Sequence, residues 1–222
     1  MSNLKIKLHD LLFQRFSKQF VDTIYNETLD CNSILDIGCG YNPGIKKTTN
    51  RMQHSVGMDT FSPSIEKAKV EKTHGEFILE DINTALEKVL DKSFDVVIAL
   101  DLIEHFTKEK GIWLIKQMER IAIKKIIIFT PNGFVPQTPY DNNPWQEHLS
   151  GWEIPEMKNL GFAKILGFGG YKKLRGERFS VRFKPRLIWK FISFYTQLIT
   201  FYKPKFAFSI FCIKNLKNEP FS

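Results

Sequence analysis

Four acidic residues stand where apolar runs end. Asp36 lies in Ile34-Leu35-Asp36-Ile37, just ahead of Gly38-Cys39-Gly40. Asp59 closes Ser55-Val56-Gly57-Met58, Asp81 follows Phe77-Ile78-Leu79-Glu80, and Asp101 follows Val96-Val97-Ile98-Ala99-Leu100. An ionised carboxylate only accepts hydrogen bonds. Four of them at successive strand ends suit a ligand rich in donors: an amino group, the hydroxyls of a ribose, an adenine amine. The Gly-x-Gly turn permits positive φ and lets backbone approach such a ligand closely. Asp59 lies 23 positions after Asp36, a spacing that suits a carboxylate holding both ribose hydroxyls. Each Asp alone reads first as a loop residue or a helix N-cap; the set favours a site.

A second group could move protons. His148 falls after the fifth apolar run and is the first candidate for a general base, with a solvated loop histidine as the plain alternative. Asp101 is placed to meet either substrate or cofactor. Glu104 and His105, in Leu102-Ile103-Glu104-His105, read as structural or cofactor-side residues that cap the next helix. Cys31, Cys39 and Cys212 are too few and too scattered for a disulfide framework or a zinc site, and no metal is expected. They read as reduced thiols of an intracellular protein. No secretory leader is expected, because Lys5, Lys7, His9 and Asp10 interrupt any apolar run at the start.

The elements that must carry these residues follow from periodicity. Leu4, Leu8, Leu11, Leu12, Phe16, Phe20 and Ile24 recur at helical spacing. Strand-like runs fall at 33–37, 54–58, 76–79, 94–100, 124–130, about 162–167 and 206–213. Helical or loop segments lie between them, around 43–51, 62–70, 83–90, 108–122 and 153–160. Alternating strand and helix predicts an α/β fold with a mostly parallel sheet. Uninterrupted apolar runs such as Ile126-Ile127-Ile128-Phe129 suit strands covered on both faces. The expected organisation is one domain: an N-terminal helix over 1–29, a cofactor-binding core over 30–170, and a basic, aromatic segment over 171–222. The Pro-, Asn- and Gly-rich stretch 131–150 is a long connection at the ligand-binding edge, where long loops are often functional.

Two nucleotide motifs compete for the glycine turn. A dinucleotide fingerprint needs a third Gly, and Pro43 stands there in Gly38-Cys39-Gly40-Tyr41-Asn42-Pro43. A P-loop would need Gly-Lys-Ser/Thr, which does not follow. The whole series instead resembles the class I S-adenosylmethionine-dependent methyltransferases, from about residue 30 to 213. Ile34 to Gly40 is similar to their first motif, with Asp36, Gly38, Cys39 and Gly40 at the cofactor's methionine part. Asp59 matches their ribose-binding acid, and Asp81-Ile82 the pair beside the adenine. Phe94 to Leu100 matches the fourth strand, with Leu100 at the cofactor. Leu102-Ile103-Glu104-His105 resembles the segment after that strand in small-molecule members, and Glu147 to Phe162 resembles the helix and strand after the active-site loop. The resemblance implies a Rossmann-like seven-stranded sheet with helices on both faces and a last strand, Phe206 to Ile213, that is antiparallel. It also implies S-adenosylmethionine as cofactor. This chain departs from the family at Tyr41-Asn42-Pro43, where many members carry a small residue; Tyr41 is placed to cover the methionine end.

The acceptor is less legible. The Asn/Asp-Pro-Pro-aromatic motif of amino-methylating nucleic-acid enzymes is absent after the fourth strand, and so is a nucleophilic Cys. Nucleic acid is therefore disfavoured despite the overall charge of +8. That charge is uneven: 164–217 holds 13 Lys/Arg and one acid, Glu177. Within it, Leu187 to Tyr202 is largely apolar and aromatic, with Lys190, Ser193, Gln197 and Thr200 forming a narrow polar stripe. Basic residues flank it. A helix lying on an anionic membrane would carry this pattern, and so would a helix packed on the sheet or on a partner. The reading is a cytoplasmic methyltransferase, with membrane association through 171–205 open. Its acceptor is a small-molecule, sugar or lipid-linked oxygen or nitrogen. The alternatives are a non-catalytic cofactor-binding module and a peripheral membrane docking protein.

Overall fold

The structure is a computed structural model that describes residues 17–139, 143–176 and 180–216. The chain builds one seven-stranded sheet. Its strands are β1 (Ser33–Ile37), β2 (His54–Asp59), β3 (Glu76–Leu79), β4 (Phe94–Leu100), β5 (Ala122–Pro131), β6 (Lys164–Tyr171) and β7 (Ala207–Asn215). They lie side by side in the order β3-β2-β1-β4-β5-β7-β6. The first five pair in parallel, and β7 runs antiparallel between β5 and β6. The sheet is thus Rossmann-like with its last strand antiparallel.

The helices follow from local sequence. Residues 17–27 are helical; the rest of the opening helix expected from Leu4 onward lies outside the described residues. The stretch 43–51, expected as helix or loop, forms two short turns. Asn42 caps a single 3-10 turn at Pro43–Ile45, and only α2 (Lys46–Thr49) follows, because Pro43 fits the first position of a helical turn and no earlier. Next come α3 (Ser62–Val70), α4 (Ile82–Lys88), α5 (Lys108–Ile121), α6 (Ile154–Asn159) and α7 (Arg186–Thr200). Thr107 caps α5 by accepting from the Lys110 amide. The capping role expected of Glu104 and His105 therefore belongs to Thr107, two residues further on.

Strand alternation builds two cores. Leu35, Ile37, Val97, Ala99, Ile126 and Ile128 face one way and meet Leu86, Leu114, Ile115, Met118 and Met157 from α4, α5 and α6. Ile34, Val96, Ile98, Ile127, Phe129 and Phe211 face the other way and meet Phe20, Ile24 and Ile45. Strands apolar on both faces are what two helical layers require.

Edge strand β6 runs to Tyr171, beyond the end expected near 167, and carries an irregularity between Phe168 and Tyr171. Gly169 and Gly170 lie there with φ of +83° and +71°. This bulge frees backbone groups from the ladder, and α7 satisfies them. The Gly170 amide donates to Gln197 Oε1 (2.9 Å), Gln197 Nε2 donates to the Gly167 carbonyl (3.0 Å), and the Tyr171 amide donates to Thr196 Oγ1 (2.9 Å).

Candidate active site

The chain leaves β1 toward β2 and β3 on one side, then returns to β4 and β5 on the other. A crevice opens where that direction reverses, at the carboxyl ends of β1 and β4. The register sets the end residues abreast: Ile37 pairs with both Met58 and Ala99. Gly38, Asp59 and Leu100 therefore meet at one rim. They line a cleft of about 960 Å³ that also holds Asp36, Cys39, Gly40, Tyr41, Asp81 and Ile82. That volume suits a small-molecule site.

The turn after β1 needs its glycines. Gly38 has φ +66°, and a Cβ there would lie 2.5 Å from Leu102 Cδ1. Gly40 has φ +51°, and nothing stands within 4 Å of where its Cβ would be. That open space is the cleft, so any side chain at Gly40 would fill the cradle itself. The Gly40 amide donates to Asp59 Oδ2 at 2.8 Å, while Asp59 Oδ1 accepts from the Phe61 amide at 2.8 Å. Asp59 thus clamps the turn from the end of β2 and keeps spare lone pairs on each oxygen.

Asp36 is buried beneath the turn. His74 Nε2 lies 3.2 Å from its Oδ2, an ion-pair distance at an angle that makes no regular hydrogen bond. Burial pushes the Asp36 carboxyl up, and His74 opposes that push. Neither Asp36 oxygen finds a donor among the described residues, which fits a site built for a donor-rich ligand. The Cys39 side chain is buried too, with its thiol pushed far up, so only its backbone faces the turn chemistry. Asp81 realises both of its readings. It N-caps α4 by accepting from the Asn83 amide at 2.9 Å, and it also lines the cleft beside Ile82.

The far wall of the same cleft begins at Asp101. Its φ of +49° is a left-handed conformation that costs a non-glycine residue on the order of 1 kcal/mol or more and concentrates at functional sites. Its amide donates to the Phe129 carbonyl at 2.8 Å. The surrounding protein pushes its carboxyl upward, although the side chain is open to the cleft and water moderates that push. Glu104 is 2% exposed. One of its oxygens accepts from Thr130 Oγ1 at 2.9 Å. Burial drives its carboxyl well above the usual range, and Asp101 adds to the rise. His105 and His148 stack edge to face, with ring centroids 4.9 Å apart. Burial lowers both imidazoles.

A strap brings His148 to that wall. Residues 132–139 leave β5, and 143–152 return along the cleft. The Leu149 and Ser150 amides both donate to the Glu104 carbonyl (2.8 and 3.1 Å). Trp152 is fully buried. Its Nε1 donates to Ser150 Oγ at 2.9 Å, and Lys108 Nζ sits 3.9 Å from its ring centroid. Trp152 fits because Gly111 of α5 has no side chain: a Cβ there would lie 2.3 Å from Trp152 Cζ2. The strap also bonds to itself, Gln137 Nε2 donating to the Gln146 carbonyl at 2.8 Å and the His148 amide to the Gln137 carbonyl at 3.2 Å.

All ten residues singled out in the sequence for cofactor or catalysis line this one cleft. Phe20, Glu104 and His105 are among the further residues that line it. Phe20 reaches the cleft from the first helix, where its helical spacing marks it only as core. Glu104 and His105 stand on the far wall of the cleft rather than in the capping role their position suggests. A Glu flanked by apolar residues is itself a signal, since carboxylates are rarely buried without a task. Glu104, His105 and His148 each offer one ligand atom within 4.8 Å of the others.

Comparison with known proteins agrees with this geometry. Residues 35–127 match the family model described as "Methyltransferase domain". A protein named ubiquinone biosynthesis O-methyltransferase in Rickettsia bellii (strain OSU 85-389) is 27% identical over 168 residues, 64% of this chain and 67% of that protein. The same name and identity recur in Rickettsia bellii (strain RML369-C). Among solved structures, a SAM-dependent methyltransferase from Archaeoglobus fulgidus superposes with a TM-score of 0.56 at 16% identity, covering 94% of this chain and 99% of that one. Magnesium protoporphyrin IX methyltransferase from Synechocystis PCC 6803 with bound SAM gives 0.54 at 16% identity, covering 98% and 86%. The strand order is the fold of these methyltransferase structures, and the methyltransferase-domain match over residues 35–127 spans the glycine cradle and the strand ends around it.

Proposed function

We propose that the chain methylates an oxygen of a small-molecule, sugar or lipid-linked acceptor, and that the two walls of the cleft divide the work. S-adenosylmethionine, when bound, supplies an electrophilic methyl group. On the first wall, Gly38, Cys39 and Gly40 offer backbone to its methionine part, with the charge of Asp36 beneath. Asp59 accepts from the ribose hydroxyls, and Asp81, Ile82 and Leu100 line the base side. On the second wall, Asp101 and His148 receive the acceptor and take its proton. The strap keeps bulk water from the joint between them. The helix of 17–27, the core and the basic C-terminal part act as a single unit.

One observation carries this reading: a single cleft joins the Gly38–Gly40 cradle to Asp101, Glu104, His105 and His148. The named O-methyltransferase relative favours oxygen over nitrogen. The test is a panel of dihydroxybenzenes, sugars and primary amines, incubated with the chain and S-adenosylmethionine and read by mass spectrometry. Methylated hydroxyls with untouched amines are expected; methylated amines alone would contradict the assignment.

A second observation concerns place. In α7 the polar residues Ser193, Gln197 and Thr200 are buried, while Ile188, Ile192, Tyr195, Leu198 and Ile199 are exposed, Tyr195 and Leu198 by 64% and 61%. The helix turns its apolar ridge to solvent. Arg182, Lys184, Arg186, Lys203 and Lys205 lie at its two ends and are exposed. That sign of charge complements an anionic lipid surface, and we assign the ridge to one. No described helix is long and apolar enough to cross a membrane, so the contact is peripheral.

A further inference from the structure

The geometry points to a divalent-cation site at Glu104, His105 and His148, with Asp101 beside it, that receives an acceptor bearing two adjacent oxygens, such as a vicinal dihydroxy aromatic ring or a cis-diol. The acceptor half of this inference rests on the methyltransferase reading; the cation half stands on the cluster alone.

Three observations support it. The first is convergence. The ligand atoms of the three residues lie within 4.8 Å of one another, although one of them comes from the strap and two from the turn after β4. A cation about 2.1 Å from each donor is reached from there by small side-chain rotations.

The second is the second ring nitrogen of each imidazole. His105 Nδ1 lies 2.9 Å from the Glu147 carbonyl, and His148 Nδ1 lies 2.6 Å from the Val135 carbonyl. A carbonyl can only accept, so each Nδ1 carries the proton and each Nε2 keeps its lone pair. This is how metal-bound histidines are held: one nitrogen on the ion, the other fixed to an outer carbonyl.

The third is charge. Glu104 is 2% exposed, and among the described residues no Lys or Arg forms an ion pair with it or with Asp101. Burying the Glu104 carboxylate without a counter-charge is costly, and a dication in the cluster removes the cost. Two imidazoles and a carboxylate suit Mn²⁺, Fe²⁺, Co²⁺ or Zn²⁺ rather than Ca²⁺.

Three protein ligands leave neighbouring positions open, as in catalytic metal sites. Those positions face the cleft that holds the glycine cradle. Two adjacent acceptor oxygens fill them, and a metal-bound hydroxyl gives up its proton more readily. His148 is then a ligand, and the proton passes to water or to Asp101.

The test is titration of Mn²⁺ into the full chain, read by electron paramagnetic resonance and calorimetry, with S-adenosylhomocysteine affinity measured on the same samples. Saturable binding of one Mn²⁺, displaced by Zn²⁺, is expected. His148→Ala and Glu104→Gln should each weaken Mn²⁺ about tenfold or more. His148→Ala lies on the strap, so it guards against a buried variant that fails to fold. Its S-adenosylhomocysteine affinity should stay within about threefold. Mn²⁺ binding by the wild type no tighter than by His148→Ala overturns the site, while failure of S-adenosylhomocysteine to bind would strike the cofactor reading instead. Catechol should alter the spectrum of the Mn²⁺-loaded chain and phenol should not; equal effects, or none, overturn the chelating acceptor.

Discussion

At the scale of the residue, small backbone facts decide what the cleft can hold. Gly40 is held at φ +51° by the bond from its amide to Asp59, with open cleft where a side chain would go. Gly40→Val imposes two separable penalties. The left-handed backbone costs stability by about 1–2 kcal/mol, and the branched side chain occupies the cradle. Calorimetry with S-adenosylhomocysteine should therefore show at least a tenfold loss of affinity, while the melting curve stays cooperative and only modestly lowered. Unchanged affinity would mean that the ligand lies elsewhere in the cleft. Asp59 and the glycine turn were legible in the sequence because their meaning is local: a strand end and a turn that needs positive φ. The partnership of Glu104 and His148 was not. It depends on the Leu149 and Ser150 amides meeting the Glu104 carbonyl and on Trp152 seating over Gly111, contacts that no spacing rule encodes.

At the scale of the element, α7 is the informative case. Its composition and its narrow polar stripe were readable; the direction of that stripe was not. An amphipathic helix on a sheet normally buries its apolar face. Here the Gly169–Gly170 bulge leaves backbone groups unpaired, and Thr196 and Gln197 satisfy them. A buried amide without a partner costs more than a second apolar contact gains, so the polar stripe goes inward and the apolar ridge faces out. The lipid assignment follows from that inversion. The chain should co-sediment with vesicles containing phosphatidylglycerol and stay in solution with phosphatidylcholine alone. Ile192→Glu combined with Leu198→Glu, both on the exposed ridge, should abolish co-sedimentation without altering S-adenosylhomocysteine binding. Co-sedimentation unaffected by the pair would contradict the assignment. A doubled mass by light scattering in the absence of vesicles would give the ridge to a second copy of the chain.

At the scale of the whole molecule, the strand order does the positioning. The reversal between β1 and β4 places four strand ends around one crevice, and the two apolar cores hold that rim rigid from both sides of the sheet. The alternation of runs along the chain made the parallel part legible. The antiparallel direction of β7 came only from family likeness, since nothing in Ala207–Asn215 itself specifies an antiparallel neighbour, and its place between β5 and β6 came with the structure. The methyltransferase reading depends on this crevice binding S-adenosylmethionine through the cradle and Asp59. Calorimetric titration of S-adenosylhomocysteine into the wild-type chain and into Asp59→Ala decides the matter. Wild-type binding on the order of micromolar is expected, which at a hundredfold excess over Kd adds about 2.7 kcal/mol of stability. Asp59→Ala should still fold and bind at least tenfold more weakly, a loss of about 1.4 kcal/mol. No binding by the wild type, or equal affinity in the two proteins, would refute the assignment.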